Sequence, residues 1–338
     1  MDLIVGSDFV LRPLVAADAP AVAAYRSAVP EPGWQSWTVP YPEDRAAEMI
    51  ATLPDGPTEG EWYSFGIADR GDGPLLGDVA VHVGWDAHEI ELGYTLAPEA
   101  QGRGLATRAV DAVIEHLVAT TAVSRFRASL HPDNVRSAMV LERLGFVYEG
   151  TDRQSFWVDG HCSDDARYGM LVDEWRAWRA RPRQPFDRIC LVPITPDNAR
   201  AYQRMRTHRS QERLVAPVLQ SFADACVPDI HNGYPIVPWM RGIEGDGEPI
   251  GFVMMVEATE HHPTPYLWRL LVDRWHQRRG VGVRVLDDIV TMLRSAGHHR
   301  MTLSYHPGDG SPAAFYHAYG LRPTGRISDG EVEAAIEF

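Results

Sequence analysis

Glu91-Leu92-Gly93-Tyr94-Thr95-Leu96-Ala97-Pro98-Glu99-Ala100-Gln101-Gly102-Arg103-Gly104-Leu105-Ala106 changes its pattern halfway along. Its first part continues a strand-like run that starts at Glu89. Its last part opens a helix, because Ala106, Val110, Val113, Ile114 and Leu117 recur at helical spacing over 105–120. A glycine-rich turn joins the two. A strand that ends in such a turn and opens a helix is an anion site in physical terms. The first amides of a helix have no intrahelical partner, and the helix dipole adds partial positive charge there. Glycines let the main chain come close to a pyrophosphate. Two other phosphate loops do not fit. A dinucleotide fingerprint needs a third glycine, where this chain has Leu105-Ala106-Thr107. A Walker loop needs a lysine, and all 32 basic residues here are arginines.

The loop returns at Gln277-Arg278-Arg279-Gly280-Val281-Gly282. A strand over 266–272 runs into it. A helix over 281–296 follows, with Val285, Ile289, Val290 and Leu293 at helical spacing. Two more landmarks repeat. Val10-Leu11-Arg12-Pro13-Leu14 with Asp18 is echoed by Cys190-Leu191-Val192-Pro193-Ile194 with Asp197. Gly145-Phe146 with Gly150 is echoed by Gly320-Leu321 with Gly325. Gln101 to Gly145 is 44 positions and Gln277 to Gly320 is 43. The chain therefore reads as two copies of one domain, offset by 175–180 positions. Strands are expected over 62–68, 76–83, 89–96 and 125–130, then 250–257, 266–272 and 300–305. The fold class is α/β with a mixed sheet (α+β) in each copy. Trp178-Arg179-Ala180-Arg181-Pro182-Arg183-Gln184-Pro185 carries two prolines among charges and reads as a short, stiff linker. The expected division is 1–180, a linker at 181–187, and 188–338, with the boundary near residue 184.

With 338 residues, 45% hydrophobic and 23% charged, each half is long enough to bury its own core. No window approaches 18 uninterrupted apolar residues, so no membrane helix is expected. Met1-Asp2-Leu3-Ile4-Val5-Gly6 has no basic region ahead of an apolar run, so no secretory signal is expected. Cys162, Cys190 and Cys226 lack CxxC spacing, which disfavours a disulfide framework or a zinc site and fits a reducing cytoplasm. The net charge of −14 argues against a nucleic-acid partner and suits a cationic one, besides keeping the chain soluble. The lack of lysine excludes Schiff-base chemistry and self-acylation on a lysine.

Both halves resemble Gcn5-related N-acetyltransferase (GNAT) domains, whose signature after the fourth strand is [QR]xxGx[GA]. The resemblance covers essentially the whole chain as a tandem pair. The first half is similar to the ribosomal-protein-alanine acetyltransferase branch, through Glu91 to Gly104, Asn134-Val135-Arg136-Ser137 leading to Leu144-Gly145-Phe146, and Ser155-Phe156-Trp157 to Asp165. The second half is similar to the spermidine/diamine acetyltransferase branch. Its carriers are Val215-Ala216-Pro217, Ser221-Phe222-Ala223-Asp224-Ala225, Trp268-Arg269-Leu270-Leu271-Val272-Asp273 and Phe315-Tyr316. The resemblance implies acetyl-CoA or another acyl-CoA as co-substrate, with no metal. The implied binding residues are Leu96, Gln101, Gly102, Arg103, Gly104, Leu105, Ala106 and Asn134 in the first half. In the second they are Leu271, Val272, Gln277, Arg278, Arg279, Gly280, Val281, Gly282 and Asp309. Asn134 matches the family's asparagine for the pantetheine arm, and Asp309 is its counterpart.

The family reaction is direct attack of an amine on a thioester. An alkylammonium has a pKa near about 10, so a base must act before attack. The leaving thiolate needs an acid or solvent. Tyr316 matches the family's general acid, and the first half has Leu141 there, with Ser137 one turn earlier. Carboxylates at the central strands are the base candidates. Glu91 is the choice in the first half, sharing a strand face with Glu89. Glu257 and Asp273 are open candidates in the second, and His261-His262 reads as a loop. Trp34, Trp37 and Tyr41, and likewise Tyr234, Pro238 and Trp239, either wall the acceptor site or pack the early helices.

The expected function is N-acyl transfer from acyl-CoA to a primary amine of a small molecule or peptide, by a cytoplasmic monomer or homodimer. Nucleic acid and membrane are not expected partners. Two alternatives stand: acyl-CoA binding without turnover in one or both halves, or a longer acyl donor on a carrier protein.

Overall fold

The strands that feed the two glycine loops each lie inside a mixed sheet, and each loop hands over to a helix packed on that sheet. These features come from a computed structural model, which describes residues 4–6, 8–29, 34–69, 73–158, 160–231 and 233–338. The chain divides into two units, Met1–Ala180 and Arg181–Phe338.

The first unit has eight strands: β1 Ile4–Val5, β2 Phe9–Pro13, β3 Trp62–Asp69, β4 Leu75–Val83, β5 Glu89–Leu96, β6 Arg125–Leu130, β7 Val147–Val158 and β8 His161–Leu171. They form one sheet in the order β1-β2-β3-β4-β5-β6-β8-β7. Among the strand pairs of the described residues only β5–β6 is parallel. The helices are α1 Ala19–Ser27, α2 Glu43–Ala51, α3 Leu105–Thr120, α4 Val135–Leu144 and α5 Val172–Ala180. Alternation sorts the faces. Val79, Val81, Ile90 and Leu92 bury themselves with Val110, Val113, Ile114 and Leu117 of α3. Ala80, His82, Glu91 and Gly93 stand on the opposite face, by the register of β4 and β5.

The second unit repeats the plan. Its strands are β9 Ile189–Pro193, β10 Ile230–His231, β11 Tyr234–Pro235, β12 Pro238–Gly245, β13 Glu248–Val256, β14 Tyr266–Val272, β15 Arg300–Tyr305, β16 Arg322–Ser328 and β17 Glu331–Glu337. The sheet order is β16-β17-β15-β14-β13-β12-β9, with β10–β11 a separate hairpin. Again one pair, β14–β15, is parallel. The helices are α6 Ala199–Gln203, α7 Val218–Cys226, α8 Val281–Ser295 and α9 Ala313–Tyr319. One core joins Ile250, Val253 and Leu267 to Val285, Leu286 and Ile289 of α8. A smaller one on the other face gathers Tyr202, Val218, Phe252, Met254 and Leu271.

The strands that feed the two loops differ by one bulge. The β13–β14 register steps from Met254↔Arg269 to Met255↔Leu267, which leaves Trp268 as an extra residue. The β4–β5 ladder has no such step. The bulge explains why Glu91 and Tyr266 are 175 positions apart while Gln101 and Gln277 are 176 apart.

Candidate active site

In each unit the parallel pair parts company. β5 and β6 pair only at Glu89↔Arg125, Ile90↔Phe126 and Glu91↔Arg127, although β5 continues to Leu96 and β6 to Leu130. β14 and β15 pair only at Tyr266↔Thr302 and Leu267↔Leu303, although they run on to Val272 and Tyr305. Beyond those points each strand turns main-chain donors and acceptors toward a gap.

The glycine loops sit at the wide end of these gaps. Gly104 and Gly280 are the residues before α3 and α8, and both take left-handed conformations, φ +71° and +75°. Neither helix start has a side-chain cap. A Cβ on Gly102 or Gly280 meets nothing within 4 Å, and one on Gly104 meets only the Arg108 guanidinium at 3.5 Å. The glycines are thus needed for backbone conformation, and the space over them is open. Unpaired helix-start amides facing open space fit a diphosphate. A glutamine fixes each loop to its strand. Gln101 donates to the Leu96 carbonyl at 3.1 Å, and Gln277 donates to the Val272 carbonyl at 3.0 Å.

The two loops are not equivalent in their side chains. Arg278 stands where the first loop has Gly102 and shares its left-handed conformation, φ +65° against +75°. Arg278 is exposed. Arg279, implied as a binding residue, has its side chain turned to other partners. It is buried, its guanidinium lies 3.4 Å from the Phe186 ring centroid, and its Nε donates to the Gln184 carbonyl at 2.6 Å. The linker residues thus consume this arginine. Arg103 is exposed and folds back on the Glu99 carbonyl at 2.6 Å. Gly282 serves packing, since a Cβ there falls 2.9 Å from the Phe315 ring. Leu105, Ala106 and Val281 form the first turns behind the loops, with Leu105 and Val281 buried.

Across the gap lies the helix that follows β6 or β15. Asn134 directly precedes α4, and its Oδ1 accepts from the Ser137 amide at 3.1 Å. That cap fixes the side chain and leaves its NH2 group as the donor. The Tyr94 hydroxyl donates to the Ser137 carbonyl at 2.8 Å, which ties β5 to the same turn. Asp309 holds the position 175 residues after Asn134 but does not cap a helix as Asn134 does. Gly308 and Gly310 turn the chain with φ +110° and +75°, α9 starts only at Ala313, and Ser311 Oγ accepts from the Ala313 amide. Asp309 is left exposed in the turn.

Tyr316 lies on α9, buried between Tyr305 and Phe315. Burial, then the neighbouring Tyr266, pushes its hydroxyl well above the ordinary tyrosine range, so it stays protonated. Leu141 at the matching place in α4 is core.

The base candidates fare differently. Glu91 is the last residue of β5 paired with β6, and Arg127 donates to its Oε2 at 2.8 Å. Arg127 and Arg125 also hold Glu89, at 3.1 and 3.0 Å. Glu91, the base candidate of the first unit, is therefore half of an ion pair. Asp273 is also engaged: its two oxygens accept from the Trp275 and Arg206 amides at 3.0 Å each. Glu257 lies just past β13 and is exposed. Of the aromatics, Trp37 and Tyr41 pack around Arg26, Trp34 stacks on His131 at 5.0 Å, and Tyr234 stacks on His261 at 3.4 Å. The prolines at 30 and 32 lie outside the described residues.

A further constellation was passed over in the sequence. Ser129 of β6 and Asp165 of β8 lie close in register on the Glu91 face. Ser304 of β15 donates to Glu331 at the start of β17. The signal was there in Ser129-Leu130-His131-Pro132 and Ser304-Tyr305-His306-Pro307, 175 positions apart. Among the described residues no group of three or more His, Cys, Asp or Glu is placed to hold a metal ion, and no helix is long and apolar enough to cross a membrane. The three cysteines are free.

Comparison with known proteins gives the same picture for both units. A family profile described as "Acetyltransferase (GNAT) domain" matches residues 8–147, and one described as "Acetyltransferase (GNAT) family" matches 200–321. The [Ribosomal protein uS5]-alanine N-acetyltransferase of Escherichia coli is 29% identical over 123 residues, 36% of this chain and 63% of that one. The putative ribosomal N-acetyltransferase YdaF of Bacillus subtilis is 31% identical over 105 residues, 31% of this chain and 57% of that one. This chain thus spans less than two thirds of either relative. A crystal structure of a GNAT acetyltransferase from Bacillus anthracis aligns over 51% of this chain and 99% of its own, at 20% identity and a TM-score of 0.46. The chain belongs to the GNAT acetyltransferase family, and each of its two units is one such domain.

Proposed function

We propose that this protein moves the acetyl group of acetyl-CoA to a primary amine. One observation carries the reading: in both units a glutamine-tied glycine turn opens a helix beside two parallel strands that part. When bound, acetyl-CoA supplies the thioester carbonyl that an amine attacks. The amides at 102–106 and 278–282 hold its diphosphate. The free edges of β5 and β14 receive the extended pantetheine arm, and Asn134 donates to it in the first unit. In the second unit Tyr316 gives a proton to the departing sulfur, its raised pKa keeping that proton available at working pH. The first unit has Leu141 there and relies on solvent or on Ser137. The E. coli relative is named for an alanine of a ribosomal protein, which supports a peptide amine as the acceptor class of the first unit. The second unit takes a small aliphatic amine, on its resemblance to polyamine acetyltransferases. The net charge of −14 draws in either cation. The cytoplasm is the proposed compartment.

Calorimetric titration of acetyl-CoA into the wild type, Gly104→Glu and Gly280→Glu tests the loops. Each variant is expected to lose one site. Thiol release is then followed with alanine-terminated peptides and with spermidine. A wild type that binds no acetyl-CoA, or that releases no thiol with any amine, overturns the proposal.

A further inference from the structure

Four facts about one place in each unit converge. Ser129 and Ser304 occupy matched positions on β6 and β15, beyond the last pair with β5 or β14. Each faces a carboxylate from the neighbouring antiparallel strand. Ser129 pairs with Arg167 and Leu130 with Ala166, so Asp165 comes next. Ser304 pairs with Glu333 and Tyr305 with Val332, so Glu331 comes next. The two acids therefore hold the same register position. In the second unit the serine hydroxyl donates to that acid, and in the first the same register sets Ser129 beside Asp165. The side chain changes from Asp to Glu while the serine–acid register is kept, although the rest of the gap has diverged: Glu91 in one unit is matched by Tyr266 in the other.

We infer that the Ser129–Asp165 and Ser304–Glu331 pairs are the stations that take the proton from the acceptor ammonium. The inference rests on the acetyltransferase reading above and adds the base to it. The hydroxyl takes one proton from the ammonium nitrogen as it passes its own to the carboxylate. The ammonium becomes an amine with a free electron pair, the carboxylate becomes a carboxylic acid, and the serine ends unchanged. The acid later loses that proton to water. In the first unit Arg127 pairs with Glu91, which leaves the acid beside the serine as the proton acceptor on that face. The groups around Asp165 are Ser129, Asp152, Arg167 and Arg127, and burial outweighs the rest, holding its carboxyl above the usual aspartate range. In the second unit Glu331 also has His306 at 3.4 Å, and the Tyr266 hydroxyl lies 2.6 Å from Ser304 Oγ. Glu333, the other acid at that edge, is held by Thr324 and Arg326.

The test uses the full chain with Asp165→Asn and Glu331→Gln, an alanine-terminated peptide and spermidine as acceptors, and kcat/KM followed from pH 6 to 10. Each variant is expected to lose roughly 100-fold with its own unit's acceptor at pH 7. The loss shrinks as rising pH deprotonates the amine, and the acetyl-CoA Kd changes less than twofold. Asp165→Glu restores the wild-type profile. Independently of turnover, a carboxyl 13C titration places Asp165 above the ordinary aspartate range, and Ser129→Ala raises it further. No loss, or a loss uniform across pH, overturns the proton stations while leaving the acetyltransferase reading in place. Absence of wild-type turnover removes both.

Discussion

The Gln277 side-chain amide donates to the Val272 carbonyl at 3.0 Å, closing the turn between the last strand residue and the phosphate loop. The same amide donates to Gln211 Oε1 at 2.8 Å. Gln101 repeats the first bond with Leu96 and is exposed. Gln277→Ala is expected to weaken acetyl-CoA binding in the second unit about tenfold, on the order of one lost hydrogen bond's ~1.4 kcal/mol. Gln101→Ala is expected to cost the first unit less. Titration calorimetry reads both, and an unchanged Kd in Gln277→Ala removes the loop-fixing role.

Arg278 carries a side chain in a conformation its counterpart meets with glycine. Arg278→Gly is expected to stabilise the second unit by about 0.5–1 kcal/mol, because the left-handed region costs an L-residue that much more than glycine. Urea unfolding checks this. The same variant is expected to flatten the salt dependence of acetyl-CoA binding, because an exposed guanidinium is removed.

Arg279 predicts the opposite. Its cation–π contact with Phe186 and its bond to the Gln184 carbonyl are buried. Arg279→Ala is expected to destabilise the second unit by about 2 kcal/mol, whereas Arg103→Ala leaves the first unit within about 0.5 kcal/mol. Equal effects in thermal melts contradict the different placement of the two side chains.

Tyr316→Phe is expected to lower kcat in the second unit at least tenfold and to leave the acetyl-CoA Kd unchanged. Since the Tyr316 titration is raised above the ordinary value near about 10, the wild-type rate shows no alkaline fall from this group up to that pH. A descending limb near pH 8 that disappears in the phenylalanine variant contradicts this.

Asp165 gives a pH-dependent stability. An acid whose folded pKa is raised costs the fold free energy once it ionises, and costs nothing where both states are protonated. Asp165→Asn is therefore expected to melt higher than wild type at pH 7. The gain fades as pH falls toward the ordinary aspartate value near about 4. Melts from pH 4 to 8 read it, and a gain independent of pH rules out ionisation as the cause.

What could be read from the sequence was whatever is local. Glu89–Leu96, Leu105–Thr120 and Arg125–Leu130 follow from period and from a glycine turn, and all three stand where periodicity puts them. The repeat showed because loops and strand ends keep their spacing in both copies. What escaped depends on chain segments far apart in sequence. Glu91 looks unengaged until β6 brings Arg127 alongside, 36 positions later. Arg279 looks solvent-facing until residues 184–186 fold beneath it. Asp165 meets Ser129 only because β8 returns antiparallel beside β6. Asp309 aligned by spacing with Asn134, but a glycine-flanked turn delays its helix by several residues.

The parting of β5 from β6, and of β14 from β15, gives each sheet an edge in its interior as well as at its rim. Rims are short or twisted away in well-behaved proteins, but an interior edge has no such defence. Any extended chain that lies along it completes the ladder, whether a pantetheine arm or a stray peptide strand. A ligand lying along that edge is therefore expected to compete with strand addition between molecules, and light scattering is expected to be lower with acetyl-CoA present than without it.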